Sequence, residues 1–112
     1  MASSVVVSFK DLRPVELIRS EVERRCDALA LEFPETTRFE IILAPDGVGF
    51  TAHAHVTGNH TEVAAHAAAL ELAPAAEKLL VAVERQLRKL HDKKIFAQRR
   101  EAQRDRKRKT GR

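Results

Sequence analysis

Arg85, Arg88, Lys89 and Lys93 are separated by steps of one, three and four residues, the spacing that gathers side chains on one side of a helix. With Lys78 as origin and ~100° of rotation per residue, Arg85 falls near about −20°, Lys89 near about +20°, Lys93 near about +60° and Arg88 near about −80°. Leu79, Leu80, Val83, Leu87 and Leu90 fall between about 100° and 200°, and Leu72 and Ala76 join them. The segment reads as a helix with an apolar seam on one side and a basic ridge on the other. Such a ridge can neutralise phosphates of a nucleic-acid backbone and release their condensed counterions. Glu77 and Glu84 lie close along the helix, and Asp92 is placed to pair with Arg88. The leucine seam is expected to keep the ridge cations from carboxylates beneath the helix. Part of the clustering also suits the helix itself, whose C-terminal end attracts cations.

Other residue types supply less. His53, His55 and His66 could approach one another, the first two on one face of a strand. A zinc site needs three or four converging ligands with outer-shell support, so no metal or other cofactor is expected. Cys26, the single cysteine, falls on an apolar stripe and reads as a small core residue. There is no Gly-rich phosphate loop, no nucleophile motif and no carboxylate pair with a cleft partner. Enzymatic activity and a small-molecule substrate are not expected. With no Trp, no Tyr and five Phe of structural character, stacking of single-stranded bases is disfavoured. Recognition should rest on backbone and shape, as for folded RNA.

The 112 residues suffice for one domain, and 44% hydrophobic content supports one modest core. The net charge of +4 hides an asymmetry. Residues 1–84 hold 7 Lys plus Arg against 13 Asp plus Glu, whereas residues 85–112 hold 13 against 3. An acidic body carrying a basic end is the pattern of a polyanion binder. The N-terminus lacks the charged start and apolar run of a signal peptide. No stretch approaches the ~18 apolar residues of a membrane span. A cytoplasmic protein without membrane contact is expected.

The elements that position the ridge follow from periodicity. Val5 to Phe9 reads as a first strand. Pro14 suits the first turn of a helix, and Val15, Ile18, Val22, Cys26 and Leu29 form its apolar stripe. Phe33-Pro34 ends it. Arg38 to Leu43 reads as a second strand, with a hairpin turn at Asp46-Gly47. Phe50, Ala52, Ala54 and Val56 alternate with Thr51, His53, His55 and Thr57, giving a third strand with one dry face and one wet face. Gly58-Asn59 reads as a turn, and Thr61 to Ala68 as a fourth strand despite alanine's preference for helix. A second helix follows from about Leu70 to Lys94. The predicted fold is α+β: a two-layer β-α-β-β-β-α domain, a four-stranded mixed sheet with both helices on one face. The first two strands are expected to be parallel and the rest antiparallel. Residues 1–96 form the domain, and residues 97–112 read as a flexible basic tail.

The run Glu84-Arg85-Gln86-Leu87-Arg88-Lys89, followed by His91-Asp92-Lys93-Lys94, resembles the second helix of the short ribosome hibernation-promoting factor and ribosome-associated translation inhibitor family, the sigma-54 modulation protein family. Leu72, Ala75, Ala76 and Glu77 sit where that family has its Leu-Tyr-Ala-Ala-Ile-Asp run. Ile18-Arg19, Val22 and Arg25 resemble its first helix. The resemblance covers roughly residues 4–95. It implies a bacterial protein that occupies the mRNA and tRNA channel of the small ribosomal subunit and inhibits translation under stress. It also implies rRNA contacts at Arg85, Arg88, Lys89, Lys93 and Lys94, with Arg19 and Arg25 on the first helix. Arg99 and Arg100 lie beyond the resemblance, in a basic tail that departs from the acidic tails of some short members, and are expected to thread along rRNA or the mRNA path. Neighbouring ribosomal proteins are possible further partners, and the chain is expected to be a monomer off the ribosome. The sequence departs from the family at Ala73, which replaces the usual Tyr, at Pro74, and at Ala82, where Lys is common. Ala28 and Glu32 weaken the basic end of the first helix. By this resemblance the chain is expected to be like the short members, without the second domain of the long hibernation factors that would serve for pairing ribosomes. A generic structured-RNA or DNA binding module, or a protein-interaction domain with a solvated basic tail, are the alternatives.

Overall fold

The computed structural model describes residues 4–110, with side chains described for residues 4–95. Six elements run in the order β1 (Ser4–Phe9), α1 (Glu16–Glu32), β2 (Thr36–Asp46), β3 (Gly49–Gly58), β4 (Thr61–Ala69) and α2 (Leu72–Thr110). The sheet has spatial order β1-β2-β3-β4. β1 lies parallel to β2, with Val7 opposite Ile41, and the two later pairings are antiparallel. This is the α+β arrangement that the periodicity predicts, except that α2 runs on to Thr110 where the sequence places its end near Lys94 and a tail from residue 97.

Alternation decides which face of each strand meets the helices. Val7, Phe39, Ile41, Leu43, Ala52, Ala54, Val56, Val63 and Ala65 are buried on one side of the sheet. His53, His55, Glu62 and His66 lie exposed on the other. α1 covers β1 and β2, while α2 covers β3 and β4. Both helices therefore share one face, and Val22, Cys26, Leu29, Leu79, Leu80, Val83 and Leu87 complete the core. β4 forms although five of its nine residues are alanine. Thr61, Val63 and Ala65 still alternate inward, and burial on that face overrides intrinsic propensity. The small side chains also let α2 lie close to the strand.

The connections refine the expectations. Pro14 lies outside α1, because Val15 is the extended N-cap residue and the helix begins at Glu16. The β2–β3 hairpin turns through Gly47 and Val48, with Gly47 at φ +61°, a conformation glycine adopts without a Cβ clash. Gly58 is the last residue of β3 and not a turn residue. The β3–β4 turn is Asn59-His60, with His60 at φ +54°. A Cβ on Gly58 would collide with the backbone oxygen of Glu35. This close approach sits beside the irregularity in β2 between Thr36 and Arg38.

Candidate nucleic-acid interface

α2 presents its buried seam to the sheet and its cations to solvent. Lys78, Arg85, Lys89 and Lys93 are all exposed. None of them hydrogen-bonds or pairs with a described residue. At 1.5 Å rise per residue the line from Lys78 to Lys93 spans about 22 Å. Two shallow grooves flank it. One, of about 490 Å³, is lined by Val81, Glu84, Arg85, Arg88, Lys89 and Asp92. The other, of about 310 Å³, lies toward β4 and is lined by Glu62, Gln86, Lys89, Leu90 and Lys93. Lys89 lines both.

Arg88 is placed differently from the expectation. Its Nη2 donates to Glu84 Oε2 and to Glu32 Oε2, each at 2.8 Å. Its guanidinium lies 5.5 Å from the centre of the Phe33 ring. These hydrogen bonds, to Glu84 and then to Glu32, raise the Arg88 pKa above the ordinary arginine value. The expected pairing with Asp92 is absent among the described contacts, and Arg88 reaches a carboxylate outside α2 without crossing the leucine seam. The reason is lateral: α1 lies beside α2 on the sheet, so its C-terminal end flanks the ridge instead of lying under the leucine seam. His91 strengthens this junction, edge-on to Phe33 at 5.8 Å and with Nδ1 3.2 Å from Glu35 Oε2.

Lys94 also faces inward. Its Nζ donates to the Asn59 carbonyl at 3.0 Å and to Thr61 Oγ1 at 2.6 Å, tying α2 to the β3–β4 turn. The helical rotation gives the signal for this, since Lys94 falls near about 160° on the wheel, within the seam.

The first-helix cations are engaged within the chain as well. Arg19 donates to the Val7 carbonyl at 2.8 Å and lies 5.1 Å from the centre of the Phe9 ring. It also approaches Glu16 at 3.4 Å. Arg25 donates to Glu77 on α2 at 2.7 Å. That hydrogen bond is the first cause of its raised pKa. The side chains of Arg99 and Arg100 lie outside the described residues.

Sequence reasoning therefore names Arg85, Lys89 and Lys93 as ridge cations, and the structure leaves these three without a hydrogen bond or ion pair to a described residue. It omits Lys78 as a site residue, although Lys78 shares their wheel position. It also omits Glu32 and Glu77, whose partners lie far away along the chain and leave no local signature.

The open face of the sheet carries the histidines. His53 and His66 stand opposite each other in register, their rings stacked at 6.1 Å. His55 pairs with Glu62 at 2.8 Å. Among the described residues no group of three or more His, Cys, Asp or Glu side chains is arranged to hold a metal ion. No helix, among the described residues, is long and apolar enough to cross a membrane.

The family described as Sigma 54 modulation protein / S30EA ribosomal protein matches residues 5–95. Among solved structures, a ribosomal subunit interface protein from Coxiella burnetii superposes with a TM-score of 0.73 at 16% identity, over 80% of this chain and 98% of that one. The N-terminal domain of Protein Y from Thermus thermophilus superposes with a TM-score of 0.68 at 18% identity, over 80% of this chain and 99% of that one. At these identities the two structures speak to the fold. No curated protein matches the sequence.

Proposed function

The chain belongs to the Sigma 54 modulation protein / S30EA ribosomal protein family, and from that premise we propose that it is a ribosome hibernation factor that binds rRNA of the small ribosomal subunit. The observation that carries the reading is the outward line of Lys78, Arg85, Lys89 and Lys93, none of which hydrogen-bonds or ion-pairs with a described residue. The chain acts by occupancy. α2 lies along the rRNA backbone of the channel used by mRNA and tRNA, and the ridge cations neutralise successive phosphates. With the domain seated there, initiation is blocked and idle ribosomes stay inactive during stress. No bond is made or broken, and no cofactor takes part. The absence of Trp and Tyr fits recognition of backbone and shape.

The basic segment from residue 97 onward, in which α2 continues to Thr110, follows the rRNA or the mRNA path. The protein acts in the cytoplasm, as a monomer when off the ribosome, with neighbouring ribosomal proteins as further contacts.

Competition binding tests the reading against a generic RNA-binding module. Labelled protein bound to purified small subunits is challenged with unlabelled small subunits or with an RNA duplex of arbitrary sequence. Small subunits should displace it at far lower concentration. Equal displacement by duplex would favour the generic module.

A further inference from the structure

The surface around Arg88 carries less positive charge than its arginine suggests. One guanidinium meets two carboxylates, Glu32 and Glu84, so this cluster is formally negative by one charge. The three side chains are 50%, 45% and 41% exposed for Arg88, Glu32 and Glu84, so the cluster is open to an approaching ligand. Phe33, itself buried, lies under the guanidinium and fixes it at the junction of the helices. Arg85 and Lys89 line the same groove without a described partner. A phosphate entering that groove meets two available cations and one cation already claimed by carboxylates.

We propose that Glu32 is an internal competitor for Arg88, a counter-charge that lowers the affinity of the ridge for nucleic acid; the proposal rests on the RNA-binding reading above. The physics is an exchange. A phosphate that takes Arg88 must displace an ion pair of similar strength, and it feels repulsion from the carboxylate it displaces. Glu84 shares the site but travels with Arg88 on α2, one helical turn away. Glu32 comes from α1, so its position depends on how the two helices pack. The consequence is weaker binding to stray RNA by the free protein. Affinity is then left to surfaces that engage Lys78, Arg85, Lys89 and Lys93 together.

A double-mutant cycle tests this. Binding to a short RNA duplex and to purified small subunits is measured at low salt for wild type, Glu32→Gln, Arg88→Gln and the double variant. Thermal melts confirm that each is folded. Glu32→Gln should bind duplex about threefold tighter than wild type, the scale of an exposed ion pair. The gain should vanish when Arg88 is already Gln. Glu84→Gln, which leaves the contact between the helices in place, should shift affinity in the same direction and serves if Glu32→Gln melts early. Unchanged affinity in folded Glu32→Gln overturns the proposal. So does an equal gain in the Arg88→Gln background, which would mark a diffuse charge effect. Failure of wild type itself to bind small subunits would defeat the ribosomal reading, a result distinct from either.

Discussion

The Arg88 guanidinium on α2 lies 5.5 Å from the centre of the Phe33 ring at the C-cap of α1. This contact and the Glu32 pair fasten the end of one helix to the side of the other. Arg88 therefore has a structural role that Arg85, a few residues earlier, does not. Arg88→Ala should lower both Tm and RNA affinity, whereas Arg85→Ala should lower affinity and leave Tm unchanged. Phe33 is 1% exposed, so Phe33→Ala should cost about 3–5 kcal/mol. Thermal melts alongside binding isotherms separate the two roles.

Gly58 offers a test of the sheet. A Cβ there would strike the Glu35 backbone oxygen and crowd Thr36. These are main-chain atoms that cannot swing away. Gly58→Ala should destabilise the fold by roughly 1–3 kcal/mol, the range for forced overpacking. Gly47→Ala meets no atom within 4 Å but keeps a φ of +61°, so it should be the milder change. Chemical denaturation of the two variants gives the comparison.

Cys26 is fully buried. Burial, the largest cause, with a smaller push from Asp27, raises its thiol pKa to about 12. The thiol should resist alkylation at neutral pH and react only as the chain unfolds. The sign of the pH effect follows. An unfolded thiol ionises near about 8.5, while the folded one keeps its proton up to about 12. The stability linked to this group is complete below the unfolded value and declines as pH rises through that window. Alkylation rates across a denaturant series should track global unfolding. Rapid labelling of the native protein would contradict the burial.

Lys94 and Lys89 should behave in opposite ways. Lys94 holds the β3–β4 turn through Asn59 and Thr61, and Lys89 holds nothing among the described residues. Lys94→Ala should cost about 1 kcal/mol of stability. Lys89→Ala should reduce the slope of log affinity against log salt by about 0.7–0.9, the loss of one phosphate contact. Measuring both slopes and both melts assigns each lysine its role.

The element order and the buried faces were legible because they are local. Val5 to Phe9, the stripe through Val22 and Cys26, the alternation around Ala52 and Ala54, and the seam through Leu79 and Leu87 each declare a period and a direction. β4 was legible from the same alternation in spite of its alanines. The ridge was legible in part. Arg85, Lys89 and Lys93 could be placed by helical rotation, since no described residue hydrogen-bonds or pairs with them. Rotation alone puts Lys94 in the seam, but it does not name the partners of Arg88, Lys94, Arg19 and Arg25. Their partners, Glu32, Asn59, Val7 and Glu77, become neighbours only when the sheet sets α1 beside α2 and brings the β3–β4 turn under the second helix. Formal charge along a sequence counts cations. Which of them remain available depends on tertiary contacts.

Gradient sedimentation with purified ribosomal subunits tests the central claim most directly, comparing wild type with a variant carrying Arg85→Glu, Lys89→Glu and Lys93→Glu. These three exposed side chains make no hydrogen bond or ion pair with a described residue, so the variant should remain folded. Wild type should travel with the small subunit, and the variant should stay at the top of the gradient. A folded variant that still travels with the small subunit, or a wild type that stays unbound at low salt, would contradict the account.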